Sequence, residues 1–420
     1  MVNLFVVSSS LKDLKSLELR TSEIVNKIIF DKNEISLAGY FNNTKGITDL
    51  SANFDFKKPA IIINTSGGTE DLILTITQLC KSFVLIFANP NRNSFASSLE
   101  AFAYLKDNYQ VKLFYSENDE EKIDEATKFL KAVKAISKIN TSKFGLIGEP
   151  SDWLLTSREF NGFGNFNTSV ENIKVDELVQ LVVNIDDNEA LQIVQKWKLT
   201  YKEILVDEKS LIDSAKVYIG LKKLIDNYNL NSLSIRCFDL LNYNYTACMA
   251  LSMLNDEGII SGCEGDLPTT FTMMTASFLS ENVVWMANPS SINKEENEIV
   301  FAHCTVPANF LENINQAGLT THMESNKSTA LRGTLKNSEV TVLRFSHNFD
   351  KLTSAKGKIV KSDMKNINLC RTQAVIKLNG NVEDWMNNAL GNHHVIVYGD
   401  LIAEVNYFCE LSKTELIEIN

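Results

Sequence analysis

Three short apolar runs in the first third of the chain constrain its fold more than any other feature. They are Ala60-Ile61-Ile62-Ile63-Asn64, Phe83-Val84-Leu85-Ile86-Phe87 and Val111-Lys112-Leu113-Phe114-Tyr115. Amphipathic stretches of helical length, Glu70 to Cys80 and Ser94 to Lys106, separate them. Strands that alternate with helices build a parallel sheet covered on both faces. The opening Met1-Val2-Asn3-Leu4-Phe5-Val6-Val7 has no basic region before its apolar run, so it reads as a first strand and not a signal peptide.

A polar helix over Glu120 to Ile136 leads to Phe144-Gly145-Leu146-Ile147-Gly148, which starts a second α/β unit. The long helical pattern Leu211 to Tyr228, the strand Leu233 to Phe238 and the helix Thr246 to Leu254 continue it, and Gly258 stops that helix. Beyond residue 285 the runs are short and β-like: Ala330 to Thr334, Val340 to Phe345, Lys356 to Lys361 and Gln373 to Leu378. No long helix separates them, which indicates an antiparallel sheet or barrel. A helix over Val382 to Leu390 and a strand over His394 to Tyr398 follow. The expected class is α/β: domains at 1–142 and 143–285, then a mainly antiparallel β domain at 286–420.

The net charge of −11 and the absence of a Lys/Arg cluster disfavour nucleic-acid binding. No apolar run approaches the roughly 18 residues of a membrane span. The seven cysteines are odd in number and form no C-x-x-C, which fits a reducing compartment, and a cytoplasmic protein is expected.

Gly262-Cys263-Glu264-Gly265-Asp266-Leu267-Pro268 is the densest chemical signal. Ile259-Ile260 reads as a strand, and Pro268 suits the first turn of a helix over Thr269 to Leu279. Glu264 and Asp266 then sit at a strand's carboxyl end, where open α/β sheets bind ligands. Paired acids there can hold a divalent cation and move protons. The plainer alternative makes Asp266 a helix cap and Glu264 a solvated loop residue. Of only five histidines, His303, His393 and His394 lie at strand ends, and imidazole with carboxylate suits Mn²⁺ or similar ions. His322 and His347 read as satisfied core residues. Asn64-Thr65-Ser66-Gly67-Gly68-Thr69-Glu70 reads as a strand–helix turn near a ligand cleft, without a phosphate-loop lysine. Cys263 and Cys304 lack an evident base and read as buried structural thiols. Trp153 offers a face on which a sugar could stack, although a lone tryptophan is more often a core residue.

These residues resemble the L-fucose/L-arabinose isomerase family. The resemblance is carried by Ile235-Arg236-Cys237-Phe238, Leu254-Asn255-Asp256-Glu257-Gly258, Cys263-Glu264-Gly265-Asp266, His303-Cys304 and Asn392-His393-His394, in that order. It implies two Rossmann-like α/β domains followed by a mainly antiparallel β domain. It also implies metal-dependent aldose–ketose isomerisation through an enediol, with Mn²⁺ or another divalent cation such as Mg²⁺ or Co²⁺. It makes Glu264 a metal ligand and acid/base, and His303 and His393 further ligands, with His394 a second candidate beside His393. The position of the family's second catalytic carboxylate falls on Asn288. An asparagine can coordinate a metal through its carbonyl oxygen but cannot be a general base, so Asp266 becomes a candidate for the proton role. Arg236 and Arg332 are candidates to hold a hydroxyl or acid group of the substrate. The expected partner is a small-molecule sugar, on a homo-oligomer, trimer or hexamer. Alternatives are an isomerase of an acidic or sulfonated sugar on the same scaffold, a non-catalytic sugar-binding module, and a metal-free paralogue.

Overall fold

The computed structural model describes residues 1–11, 13–30, 34–50 and 54–420. They form two compact units, Met1–Lys134 and Ala135–Asn420. The first carries the expected parallel sheet, in the order Ile35–Phe41, Val2–Val7, Ala60–Asn64, Val84–Ala88, Val111–Tyr115. The three middle strands are buried at every residue, as strands covered on both faces must be. Helices Glu70–Leu79 and Ser94–Leu105 match the amphipathic stretches. At the end of its strand, buried Asn64 donates to Ser98 Oγ (2.8 Å) and accepts from the Thr69 hydroxyl (3.0 Å). This pins the Gly67-Gly68 turn, which lines a cleft of about 480 Å³ with Arg92 and Ser97.

The second unit holds two larger sheets. Four parallel strands run in the order Ile260–Cys263, Ser232–Ile235, Lys143–Ile147, Ser169–Ile173. The other sheet is a closed antiparallel barrel. Its strands run Glu339–Phe345, His394–Tyr398, Trp285–Asn293, Glu298–His303, Thr372–Leu378, Lys351–Ser362, and the last pairs back onto the first. Glu415–Ile419 adds a parallel strand outside this closure. The architecture is the expected one: Rossmann-like parallel sheets followed by a mainly antiparallel β domain. Closure gives each of the six strands a partner on both sides and encloses a core that includes Trp285, Phe301 and Ile396.

Several elements differ from expectation. The polar helix runs Asp119–Asn140, past Ile136, because Ile139 adds another buried position to its apolar face. The strand expected to reach Phe238 stops at Ile235, and a 3-10 helix, Cys237–Tyr243, follows. The turn lets Arg236 reach Asp152 and Asp239. Trp285–Asn293, Ile402–Ser412 and Glu415–Ile419 are additional elements. Among the described residues, no helix is long and apolar enough to cross a membrane.

Candidate active site

Only Glu264-Gly265-Asp266 joins the strand Ile260–Cys263 to the helix Leu267–Ser280. The turn is made by two successive left-handed residues, Glu264 (φ 63°) and Gly265 (φ 68°). A left-handed residue with a side chain costs on the order of 1–3 kcal/mol and persists only where its surroundings impose it. Here they do: Ser151 N donates to Glu264 O (2.9 Å) and Gly265 N to Ile235 O (3.0 Å). A Cβ on Gly265 would stand 2.8 Å from Glu149 O and Pro150 Cα. Gly265→Ala is therefore expected to cost more than about 1 kcal/mol of stability. It should lower turnover too, because the turn aims Glu264. Thermal melting and activity check this, and an unchanged melting temperature would contradict the steric account.

Asp266 is the helix cap of the plainer reading, accepting from Thr269 N (2.9 Å) and from its hydroxyl (2.7 Å). It is also more than a cap. It is fully buried, the His393 Nδ1–H donates to it (2.9 Å), and Arg344 Nη1 lies 3.2 Å from both its oxygens. Burial alone would raise its pKa, yet Arg344, His393 and the Thr269 amide hold it well below the ordinary carboxylate range. No face of it is open to a sugar.

Glu264 is 9% exposed and so is not a solvated loop residue. Its Oε2 accepts from the Trp153 indole N–H at 2.6 Å, and its Oε1 lies 3.5 Å from His393 Nε2. Burial works to raise its pKa, but His393, Trp153 and His303 bring it below the usual value. Ligand atoms of Glu264, His303 and His393 all lie within 4.8 Å of one another. The two rings stand 5.3 Å apart, edge to face. His303 Nδ1 is hydrogen-bonded to Thr305 Oγ1 (2.7 Å), which leaves its Nε2 for a ligand. His393 Nε2 is buried with no hydrogen-bond partner among the described residues. Such an orphaned imidazole nitrogen, facing a carboxylate and a second imidazole, completes the kind of donor set that a divalent transition ion takes once the nitrogen gives up its proton. Its Nδ1–H on Asp266 is the outer carboxylate that metal-bound histidines usually carry. Without an ion, burial lowers the pKa of His303 to about 4, while Asp266 and Glu264 outweigh burial and lift that of His393 to about 9.

The remaining sequence candidates divide. Asn288 pairs with Ala302, one residue before His303, and its Oδ1 is buried with no hydrogen-bond partner among the described residues. Trp153 is 52% exposed and meets Phe238 edge-on at 4.9 Å, and Phe238 meets His322 at 5.7 Å. Together they form an aromatic wall beside Glu264. Arg236 is tied by ion pairs to Asp152 (2.8 Å) and Asp239 (3.0 Å). Arg332 pairs with Glu203 (2.7 Å), on the small sheet that joins Ala330–Arg332, Gly318–Thr320 and Glu203–Ile204. His394 turns into the barrel core, 4.6 Å from the Trp385 ring. Cys263 and Cys304 are buried thiols.

One histidine expectation needs correction: His347 is exposed in a turn and is not a core residue. His322 is buried as expected, its Nδ1 hydrogen-bonded to Ser325 Oγ (2.9 Å), and its ring faces Phe238 at the aromatic wall. Sequence reading also passed over Arg344. A lone charge inside the apolar strand Val340-Thr341-Val342-Leu343-Arg344-Phe345 was the available sign.

Residues 161–282, which include Glu264 and Asp266, match a family model described as the L-arabinose isomerase central domain. A protein named sulfoquinovose isomerase from Priestia aryabhattai is 23% identical over 285 residues, 65% of this chain and 63% of that protein. One of the same name from Clostridium sp. (strain MSTE9) is 23% identical over 337 residues, 76% of this chain and 74% of that protein. A third, from Alkalicoccus urumqiensis, is 22% identical over 310 residues, 71% and 69% of the two lengths. The chain thus spans less than two thirds of the length of the Priestia protein.

Proposed function

We propose that this chain, whose resemblance to the L-fucose/L-arabinose isomerase family these matches bear out at low identity, is a metal-dependent aldose–ketose isomerase. The observation that carries the reading is the convergence of Glu264, His303 and His393 to within 4.8 Å at the carboxyl end of a parallel sheet. We assign them as the holders of a divalent cation, Mn²⁺ first, with Asn288 Oδ1 as a further oxygen donor. When bound, such an ion neutralises the negative charge that develops on oxygen as an enediolate forms. Glu264 is assigned the proton transfer, from C2 of the sugar to C1, and Trp153 both orients its carboxylate and offers an exposed ring face to the sugar. Asp266 is assigned the orientation of His393, because its burial leaves it no access to a substrate.

The substrate class we favour is a sulfonated aldose, on the strength of the relatives named sulfoquinovose isomerase. A homo-oligomer, trimer or hexamer, is proposed with it and is read by light scattering. The test of function is aldose–ketose conversion across neutral, acidic and sulfonated sugars, with Mn²⁺ and with chelator. Conversion of a sulfonated sugar that chelator abolishes and Mn²⁺ restores is expected. Tight sugar binding without conversion, indifferent to chelator, would make the chain a sugar-binding module instead.

A further inference from the structure

Arg344 lies on the barrel strand Glu339–Phe345 and is completely buried. A buried ion pair is weak evidence for stability, since taking both charges out of water offsets most of their attraction. Its geometry is more informative. Nη1 faces both oxygens of Asp266 at 3.2 Å and also donates to the Thr269 hydroxyl. The same carboxylate receives the His393 Nδ1–H, so Arg344 and His393 grip one group between them. Nη2 donates to Thr156 Oγ1 at 3.2 Å. Thr156 belongs to the short helix Leu155–Arg158, which begins two residues after Trp153, whose indole holds Glu264. Its neighbour Ser157 also donates to Asp266, at 3.3 Å. One guanidinium therefore bears on both halves of the three-residue cluster, on His393 through Asp266 and on Glu264 through the 153–157 loop.

The chain makes room for this group at a particular point. A Cβ on Gly391, two residues before His393, would stand 2.3 Å from Arg344 Nη2 and 2.7 Å from Cζ. The backbone leading to His393 thus lies flat on the guanidinium. Arginine fits here as lysine would not, because a planar fork can serve Asp266 and Thr156 at once.

We propose that Arg344 is a positioning residue for the cation site: it fixes the Asp266 carboxylate and the 153–157 loop, and so sets where His393 Nε2 and the Glu264 carboxylate point. It touches neither the ion nor the sugar. The proposal rests on the reading of Glu264, His303 and His393 as metal ligands.

The experiment is calorimetric titration of the metal-free protein with Mn²⁺, beside thermal melting, for wild type, Arg344→Met, Arg344→Lys, Gly391→Ala and a core control, Leu224→Ala. Arg344→Met should weaken Mn²⁺ binding about 10–100-fold, as loss of an outer-sphere partner does. Arg344→Lys should recover part of this. Gly391→Ala, which displaces the guanidinium without removing it, should move affinity in the same direction and serves if Arg344→Met does not fold. Leu224→Ala should lower the melting temperature and leave Mn²⁺ affinity alone, which separates positioning from general destabilisation. Wild-type Mn²⁺ affinity in a folded Arg344→Met or in Gly391→Ala overturns the proposal. Absence of Mn²⁺ binding by wild type overturns the metal-ligand reading itself, and this proposal with it.

Discussion

Glu264→Gln is expected to reduce turnover by about 10²–10⁴-fold, the range over which a positioned general base contributes, in a protein that still melts cooperatively. The substitution is close to isosteric. The Gln carbonyl can still accept from the Trp153 indole that Glu264 Oε2 now engages at 2.6 Å, so the wall beside the site stays in place. What is lost is negative charge and the capacity to take a proton, at a group 3.5 Å from the orphaned His393 Nε2. Two measurements separate these losses. Mn²⁺ titration reads the ligand role, and turnover at saturating Mn²⁺ reads the proton role. Near-wild-type turnover with the ion bound would remove Glu264 from the chemistry. Asn288 could not fill the gap, because an amide has no proton-accepting state near neutral pH. Asp266 could not either, because it is sealed behind Arg344, Thr269 and His393.

The legibility of this chain in its sequence follows the physics of each part. The parallel sheets were readable because strands covered on both faces are continuous apolar runs, and Ala60–Asn64 and Val84–Ala88 are buried at every position. The Glu264 turn was readable because its punctuation is local, a strand end, a glycine, a capping aspartate and Pro268 in the first helical turn. Barrel closure was not readable. Pairing of Glu339–Phe345 with both His394–Tyr398 and Lys351–Ser362 depends on register between distant segments, which no local pattern encodes. The surroundings of Asp266 were not readable for the same reason. Spacing offered a choice between cap and catalytic acid. The partners that enclose the carboxylate, Arg344 and His393, lie 78 and 127 residues away. His322 is buried and hydrogen-bonded, as a lone histidine usually is. Its place at the aromatic wall depends on Phe238, brought there by a 3-10 turn that replaced the expected strand.

The adjacent pair His393-His394 gives the second large effect, because the two rings occupy different environments. His393→Ala is expected to weaken Mn²⁺ binding by more than about 100-fold, beyond the 10–100-fold typical of losing an outer partner, and to stop turnover at ordinary ion concentrations. His394→Ala is expected to leave Mn²⁺ affinity near wild type and to destabilise the fold, on the order of 2–5 kcal/mol for a buried side chain truncated in a packed core. The reasoning is geometric. His393 gives its Nδ1–H to Asp266 and leaves Nε2 beside Glu264. His394 gives its Nδ1–H to the Asn392 carbonyl (3.0 Å), and its ring packs 4.6 Å from Trp385 and 6.0 Å from Phe301. His394 opens the strand His394–Tyr398 and turns its ring into the barrel, whereas His393 lies in the connection before it and turns to the cluster. Burial drops the pKa of His394 to about 3, which favours the neutral imidazole as a flat packing ring. Paired Mn²⁺ titrations and melts of the two variants decide the assignment. If His394→Ala lost the ion while His393→Ala kept it, the ligand set would shift by one residue and Asp266 would have no histidine to orient.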